Sequence, residues 1–171
     1  VVTDTIDTFT ATGVKLRSGR ELPADAVVTA TGLELQFLGG LTLSVDGVTV
    51  DPSARWNYKG TMLSGVPNLA MAVGYTNASW TLKAELACQY TCRVLNHMAR
   101  HRFRSATPVQ DDPTLPSTPL LDLQSGYVQR AEKIMPRQGD RAPWRLFQSY
   151  PRDLMMMKRG TLDDGVLRFA P

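Results

Sequence analysis

The sequence predicts an α/β protein with a mixed sheet, one long helix and an irregular C-terminal extension. Residues 26–30 (AVVTA) are apolar on both alternating faces, which is typical of a strand buried in a parallel or mixed sheet. Residues 80–100 repeat apolar side chains with the 3.6-residue period of an amphipathic helix. With 171 residues, 43% of them apolar and 20% charged, the composition excludes a disordered, collagen-like or coiled-coil protein.

Short strands are predicted along the first 32 residues and again after Gly32. The dipeptides Thr12-Gly13 and Ser18-Gly19 are turn signals between stretches rich in Thr, Val and Leu. Residues 41–45 and 48–50 form a further pair of short strands around an Asp-Gly turn. Residues 69–74 (LAMAVG) form a second apolar strand that ends at a glycine.

The long helix is predicted to follow a polar turn, in which Asn77 or Ser79 can cap its first N–H groups. At 100° per residue, one side of the helix carries Ala87, Tyr90, Val94, Leu95 and Met98. The opposite side carries Glu85, Gln89, Asn96 and Arg100. We therefore expect one buried and one exposed face.

The composition changes after residue 104, where four prolines at positions 108, 113, 116 and 119 indicate a linker. One more short helix is expected within residues 120–135, although Gly126 weakens it, and residues 144–147 look like a strand. The run of three methionines at 155–157 is expected to fill the core, with an adaptable apolar pocket as the alternative.

The charge pattern gives little support for a nucleic-acid partner. Residues 1–87 carry 6 basic and 8 acidic side chains (−2), and residues 88–171 carry 13 and 8 (+5). This bias suits a phosphate-bearing ligand at most, because nucleic-acid binding concentrates many more basic side chains on one face. No apolar run reaches the about 18 residues that span a bilayer, and no secretory leader is visible, so we expect a cytoplasmic protein without membrane association.

Four side chains of metal-ligand type lie within fourteen residues, namely Cys88, Cys92, His97 and His101. On a continuous helix the two cysteines lie about 40° apart, while the histidines lie roughly 180° from Cys88. Such ligands cannot surround one tetrahedral ion, so we predict reduced thiols and no metal site. The basic end of this helix is expected to favour the exposed carbonyl groups there, with an anion site as the alternative.

Two strand ends are the candidate functional sites: Ala30-Thr31-Gly32, and residues 73–77, which open directly into the helix. Ligands of α/β sheets bind at the carboxyl ends of strands, and a helix N-terminus offers N–H groups and partial positive charge to an electron-rich ligand. The same residues are also compatible with an ordinary strand-to-helix connection. No hydrolytic set and no glycine-rich dinucleotide or phosphate loop stands out.

Several stretches resemble flavin-dependent monooxygenases. They are LRSGRELPAD (16–25), VTATG (28–32), PNL (67–69), GYTNASWTLK (74–83), GYVQR (126–130), PWR (143–145) and DDGVLRF (163–169). ATG occurs in many flavoproteins, whereas GYTNASW is much more specific. Together they make the chain similar to the C-terminal portion of Baeyer–Villiger monooxygenases of the ethionamide-activating type, in the flavin-containing monooxygenase superfamily.

The resemblance implies a FAD/NAD(P)-binding fold with two dinucleotide domains. Residues 1–104 would form the end of the NADPH domain and the C-terminal part of the FAD domain, and residues 105–171 a Pro-rich linker with a C-terminal extension. The family's glycine fingerprints, Baeyer–Villiger signature and active-site arginine have no counterpart here and are expected upstream, in the rest of a longer enzyme. No catalytic residue can therefore be assigned to this chain.

The resemblance also implies where the cofactors, FAD and NADPH, would lie. It places Thr31 and Gly32 near the nicotinamide–flavin region. It places against the edge of the flavin ring the backbone N–H groups of Thr76, Asn77, Ala78 and Ser79.

The implied activity is that of an FAD- and NADPH-dependent monooxygenase, which uses O2 to insert oxygen into a ketone or to oxygenate the sulfur of a thio-compound. One alternative is an N- or S-oxidising flavin-containing monooxygenase. The other is a non-catalytic, truncated flavoprotein-fold module that binds a partner.

Overall fold

The computed structural model describes residues 1–121, 123 and 125–171. They form an α/β structure with small sheets and few helices. The chain divides into two compact units, Val1–Leu33 and Glu34–Pro171.

The first unit contains a three-stranded antiparallel sheet of β1 (Ile6–Thr10), β2 (Gly13–Leu16) and β3 (Glu21–Pro23), in that order. Both predicted turns are confirmed, since each joins two neighbouring strands. Glycine is required at the start of β2, because a Cβ on Gly13 would lie 2.0 Å from the carbonyl oxygen of Leu22.

The strand predicted over residues 26–30 does not form, and this prediction was wrong. The stretch pairs with no strand among the described residues, and Val28 is 89% exposed. An apolar strand of this kind needs a hydrogen-bonded neighbour on its edges and packing on its faces, and the described residues supply neither here.

The strands of the second unit form short antiparallel pairs. They are β4 (Leu43–Val45) with β5 (Val48–Val50), β6 (Asn57–Tyr58) with β7 (Met62–Leu63), β8 (Ser105–Pro108) with β11 (Leu167–Ala170), and β9 (Thr118–Pro119) with β10 (Arg137–Gln138). The hairpin predicted around residues 46–47 is confirmed as β4–β5. The strand predicted over residues 69–74 is absent, so the described residues contain no parallel pair of strands, and the predicted mixed sheet was wrong.

Three α-helices lie in the second unit: α1 (Trp80–His101), α2 (Gly126–Ala131) and α3 (Tyr150–Leu154). A single π-helical turn, Met155–Arg159, continues α3. The long helix predicted over residues 80–100 is confirmed by α1, and the short helix within residues 120–135 by α2. The strand predicted over residues 144–147 is wrong, because these residues form a turn and irregular chain.

The core lies between one face of α1 and the segments around it. Tyr90 and Val94 are buried as predicted and Met98 is half-buried, but Leu95 is 57% exposed, contrary to the prediction. Met157 is fully buried and Met156 packs on the same core, which confirms core filling for these two, whereas Met155 is exposed. The core cluster comprises Tyr58, Met62, Leu86, Ala87, Tyr90, Val94, Ala106, Leu115, Trp144, Met157 and Leu167.

Candidate functional site

The segment of residues 76–79 is an exposed bend that leads into the N-terminus of α1. Ser79 is the N-cap residue, but its hydroxyl group bonds to the hydroxyl of Thr81 at 2.9 Å and does not cap a backbone N–H. The first turn of α1 contains no acidic residue. The N–H groups of this turn have no partner within the helix, so they give the exposed end a partial positive charge that is open to a ligand.

A buried carboxylate attaches both ends of this segment to the C-terminal part of the chain. One oxygen of Asp153, Oδ2, accepts a hydrogen bond from the Tyr75 hydroxyl at 2.7 Å and lies 2.9 Å from the Lys83 ammonium. Lys83 and Asp153 are completely buried. We call Tyr75, Lys83 and Asp153 the Asp153 cluster. Because Tyr75 precedes the segment and Lys83 follows it, the cluster spans it.

Two further contacts shape the same segment. The backbone N–H of Thr76 donates to the side-chain Oε1 of Gln148 at 3.0 Å. The indole ring of Trp80 lies against Gly74, where a Cβ atom would come within 2.0 Å of the ring. Glycine at position 74 therefore permits the close approach of Trp80 across the bend.

Burial changes the ionisation of the cluster. It lowers the pKa of Lys83, while the bond with Asp153 acts in the opposite direction. It raises the pKa of Tyr75, and the Asp153 carboxylate raises it further. Tyr75 therefore stays a neutral donor at physiological pH.

A second cluster of the same residue types lies in the core. Asp164 Oδ2 is 2.8 Å from the Lys59 ammonium and accepts a hydrogen bond of 2.6 Å from Tyr58, whose hydroxyl is also 2.7 Å from that of Tyr90. Burial lowers the pKa of Lys59 and raises that of both tyrosines. We call Tyr58, Lys59, Tyr90 and Asp164 the Asp164 cluster.

Thr31 and Gly32 lie in the exposed, irregular end of the first unit. Gly32 has a φ angle of +91°, a left-handed conformation that favours glycine. The roles predicted for both residues, and for Thr76, Asn77, Ala78 and Ser79, stay predictions.

The cysteine and histidine side chains on α1 are arranged as separate groups. Cys88 and Cys92 are exposed free thiols. His97 and His101 lie with their ring centroids 4.4 Å apart, and His97 also packs on Phe103 and Phe169. Among the described residues, no three His, Cys, Asp or Glu side chains converge on one point.

The Asp153 cluster was missed from the sequence, although one signal could have found it. Lys83 precedes Leu86, Ala87, Tyr90 and Val94 by 3, 4, 7 and 11 residues, so it lies on the apolar stripe of the helix and is predicted to be buried. A buried lysine requires a counter-ion. Nothing in the sequence indicates that the counter-ion is Asp153.

Comparison with known proteins identifies the class. The chain is homologous over 99% of its length to FAD-containing monooxygenases, which confirms the resemblance drawn from its motifs. No family model matches the chain, and no solved structure matches it. None of the described helices is long and apolar enough to cross a membrane.

The particular relatives include the FAD-containing monooxygenase EthA of Mycobacterium tuberculosis, which is 52% identical over 170 residues. EthA of Mycolicibacterium smegmatis is 49% identical, and the "probable FAD-binding monooxygenase AlmA" of Acinetobacter baylyi is 47% identical, each over 170 residues. The chain spans about a third of these relatives, 35%, 35% and 34% of their lengths respectively.

Proposed function

We propose that this chain is part of an FAD-dependent monooxygenase and that residues 76–79 present backbone N–H groups to the edge of the flavin ring. The enzyme would work in the cytoplasm, take its electrons from NADPH and use O2 to insert oxygen into a ketone or to oxygenate a thio-compound. Half of the residues being identical to FAD-containing monooxygenases supports the cofactor and the general reaction. Ketone insertion, sulfur oxygenation and NADPH dependence rest on the motif resemblance alone.

The observation that carries the proposal is the exposed N-terminus of α1. This helix has 22 residues, its first turn has no acidic side chain, and the side chain of its N-cap residue is turned toward Thr81. An N-terminus of this kind stabilises negative charge on a ligand, and a flavin gains electron density when it is reduced. The residues present therefore fit the edge of a flavin ring.

Bound FAD would supply electron transfer and oxygen activation, which no side chain of this chain provides. The contribution of the chain would be electrostatic and positional. The N–H groups at the start of α1 would be aimed in advance at the place where charge develops, so that no reorganisation is needed during the reaction. Gln148 and Asp153 would hold this end of the helix in position through Thr76 and Tyr75.

The test compares Ser79→Asp with Ser79→Asn in the full-length, FAD-bound protein. Both side chains are good N-caps, so both variants should keep or slightly raise the thermal stability. A charge of −1 next to the flavin opposes its reduction, and two unit charges about 4 Å apart near a protein surface interact by roughly 4 kcal/mol. We expect flavin reduction by NADPH to slow at least about tenfold in Ser79→Asp and to stay within about twofold in Ser79→Asn.

Stopped-flow absorbance of the flavin measures these rates, and flavin absorbance per protein reports FAD occupancy. Equal reduction rates in the two variants at full occupancy would show that the helix end does not face the flavin. Product analysis with a ketone and with a thioether then separates Baeyer–Villiger insertion from heteroatom oxidation. A full-length protein that binds no flavin would leave only the non-catalytic module.

A further inference from the structure

We propose that Asp153 is a positioning residue for the flavin-facing segment, and that its carboxylate fixes residues 76–79 from both sides. This inference rests on the proposed function for the role of the segment. The contacts that carry it lie within the second unit and do not depend on a bound cofactor.

The first argument is the use that the structure makes of this carboxylate. Both of its contacts go to Oδ2, one from Tyr75 before the segment and one from Lys83 after it. The other oxygen, Oδ1, is buried and has no hydrogen-bond partner among the described residues. All the polar bonding of Asp153 is therefore spent on the two ends of residues 76–79.

The second argument is that nothing else holds the segment by packing. Thr76, Asn77, Ala78, Ser79 and Trp80 are all exposed. Their positions cannot come from burial of their own side chains, so they depend on the residues at each end. Tyr75 is 4% exposed and Lys83 is fully buried, which makes these two residues the fixed points of the loop.

The third argument concerns energy. A fully buried ion pair contributes little net stability, because the cost of removing two charges from water offsets their attraction, and apolar residues of the same volume often serve as well. What the pair supplies here is direction: Oδ2 must meet a hydroxyl and an ammonium group at once, which fixes the distance between Tyr75 and Lys83. The same C-terminal stretch also provides Gln148, the acceptor for the Thr76 N–H, as a third attachment.

The chain offers a matched control in the Asp164 cluster. Asp164 also bonds a lysine and a tyrosine through Oδ2, but Tyr58 and Lys59 lie in the β6–β7 hairpin and do not flank residues 76–79. Tyr58→Phe and Asp164→Asn therefore remove equivalent contacts and leave the segment attached. Tyr75→Phe and Asp153→Asn remove the contacts that the proposal invokes.

The experiment measures backbone amide exchange by mass spectrometry on the full-length, FAD-bound protein, with a flavin absorbance spectrum for each variant. We expect Tyr75→Phe and Asp153→Asn to speed exchange at residues 76–82 about tenfold or more and to shift the flavin absorbance bands. Tyr58→Phe and Asp164→Asn should leave these amides and the bands within about twofold and unshifted, respectively. If Asp153→Asn does not fold, Tyr75→Phe decides the matter alone, because it keeps the ion pair and the ring.

Unchanged exchange at residues 76–82 in Tyr75→Phe, or an equal increase in Tyr58→Phe, would overturn the proposal. Faster exchange in Tyr75→Phe without any change in the flavin bands would support the positioning role of Asp153 and contradict the flavin-facing placement. The two failures are therefore distinguishable.

Discussion

The Asp153 and Asp164 clusters combine the same residue types, yet their carboxylates are held in different ways. Asp164 is 16% exposed, and its Oδ1 accepts hydrogen bonds from the N–H groups of Val166 and Leu167 at 3.2 and 3.0 Å. Asp153 is fully buried and uses only Oδ2. Losing one partner therefore leaves Asp164 with several others, whereas it leaves Asp153 with a single hydrogen bond. The sensitivity of a buried ion pair to mutation depends on the partners that remain.

The largest expected effect is that of Lys83→Met compared with Lys59→Met. Removing Lys83 leaves the Asp153 charge buried without a counter-ion, which typically costs about 3–5 kcal/mol of unfolding free energy. Removing Lys59 should cost less, about 1–3 kcal/mol, because Asp164 keeps its backbone donors and its access to water. Urea unfolding at pH 7 measures both values. Equal losses would show that the additional partners of Asp164 have no energetic effect.

An intermediate effect is expected from Asp164→Asn, and it should depend on pH. Burial raises the pKa of Asp164, but the bonds from Lys59 and Tyr58 outweigh it, so the pKa lies below its ordinary value of 3.8. A carboxyl group whose pKa is lowered by folding stabilises the protein above pH 3.8 and loses this contribution as the pH falls through the folded-state pKa.

The variant should therefore be less stable than the parent chain by about 1–3 kcal/mol at pH 7, and the difference should shrink as the pH falls below 3.8. Urea unfolding at several pH values checks this. Asp111→Asn, in an exposed ion pair, is the control and should show no such trend. A difference that stays constant down to pH 2.5 would contradict the assignment.

The smallest effect is expected for Arg168→Gln, which removes the ion pair of Arg168 with Asp111. These two side chains are 60% and 66% exposed, and their nitrogen and oxygen atoms are 3.0 Å apart. Exposed pairs gain little, since water and salt screen the attraction, so the unfolding free energy should change by less than about 0.5 kcal/mol. Thermal unfolding at low and high salt is the measurement. A loss as large as that of Lys59→Met would mean that exposure does not separate the pairs.

Local sequence signals predicted the elements whose stability is local. The helix α1 was predicted because its apolar side chains repeat with helical period, and the hairpins because their turn dipeptides are specific. The strands at residues 26–30 and 69–74 were predicted from apolar character alone. A strand also needs partners, and Val28 at 89% exposure shows that the first of these stretches has none among the described residues.

The candidate site shows the same division. Its position at the start of α1 was visible in the sequence, because GYTNASW combines a glycine, polar capping residues and the first residue of the helix. Its attachment through Asp153 was not visible, because a long-range ion pair leaves no pattern in the order of residues. The assignment of residues 1–104 and 105–171 to separate regions stays a prediction.

The attachment of Tyr75 to Asp153 also has a consequence for synthesis on the ribosome. The two residues are 78 positions apart, so Lys83 and Tyr75 leave the ribosome long before their common partner exists. At a translation speed of about 5–20 residues per second, this interval lasts roughly 4–16 seconds. During that time Lys83 is stable only in water, and the N-terminal turn of α1 has no reason to pack. The nascent chain therefore exposes the apolar face of α1 until its last residues have been made, which makes this helix a probable binding site for chaperones.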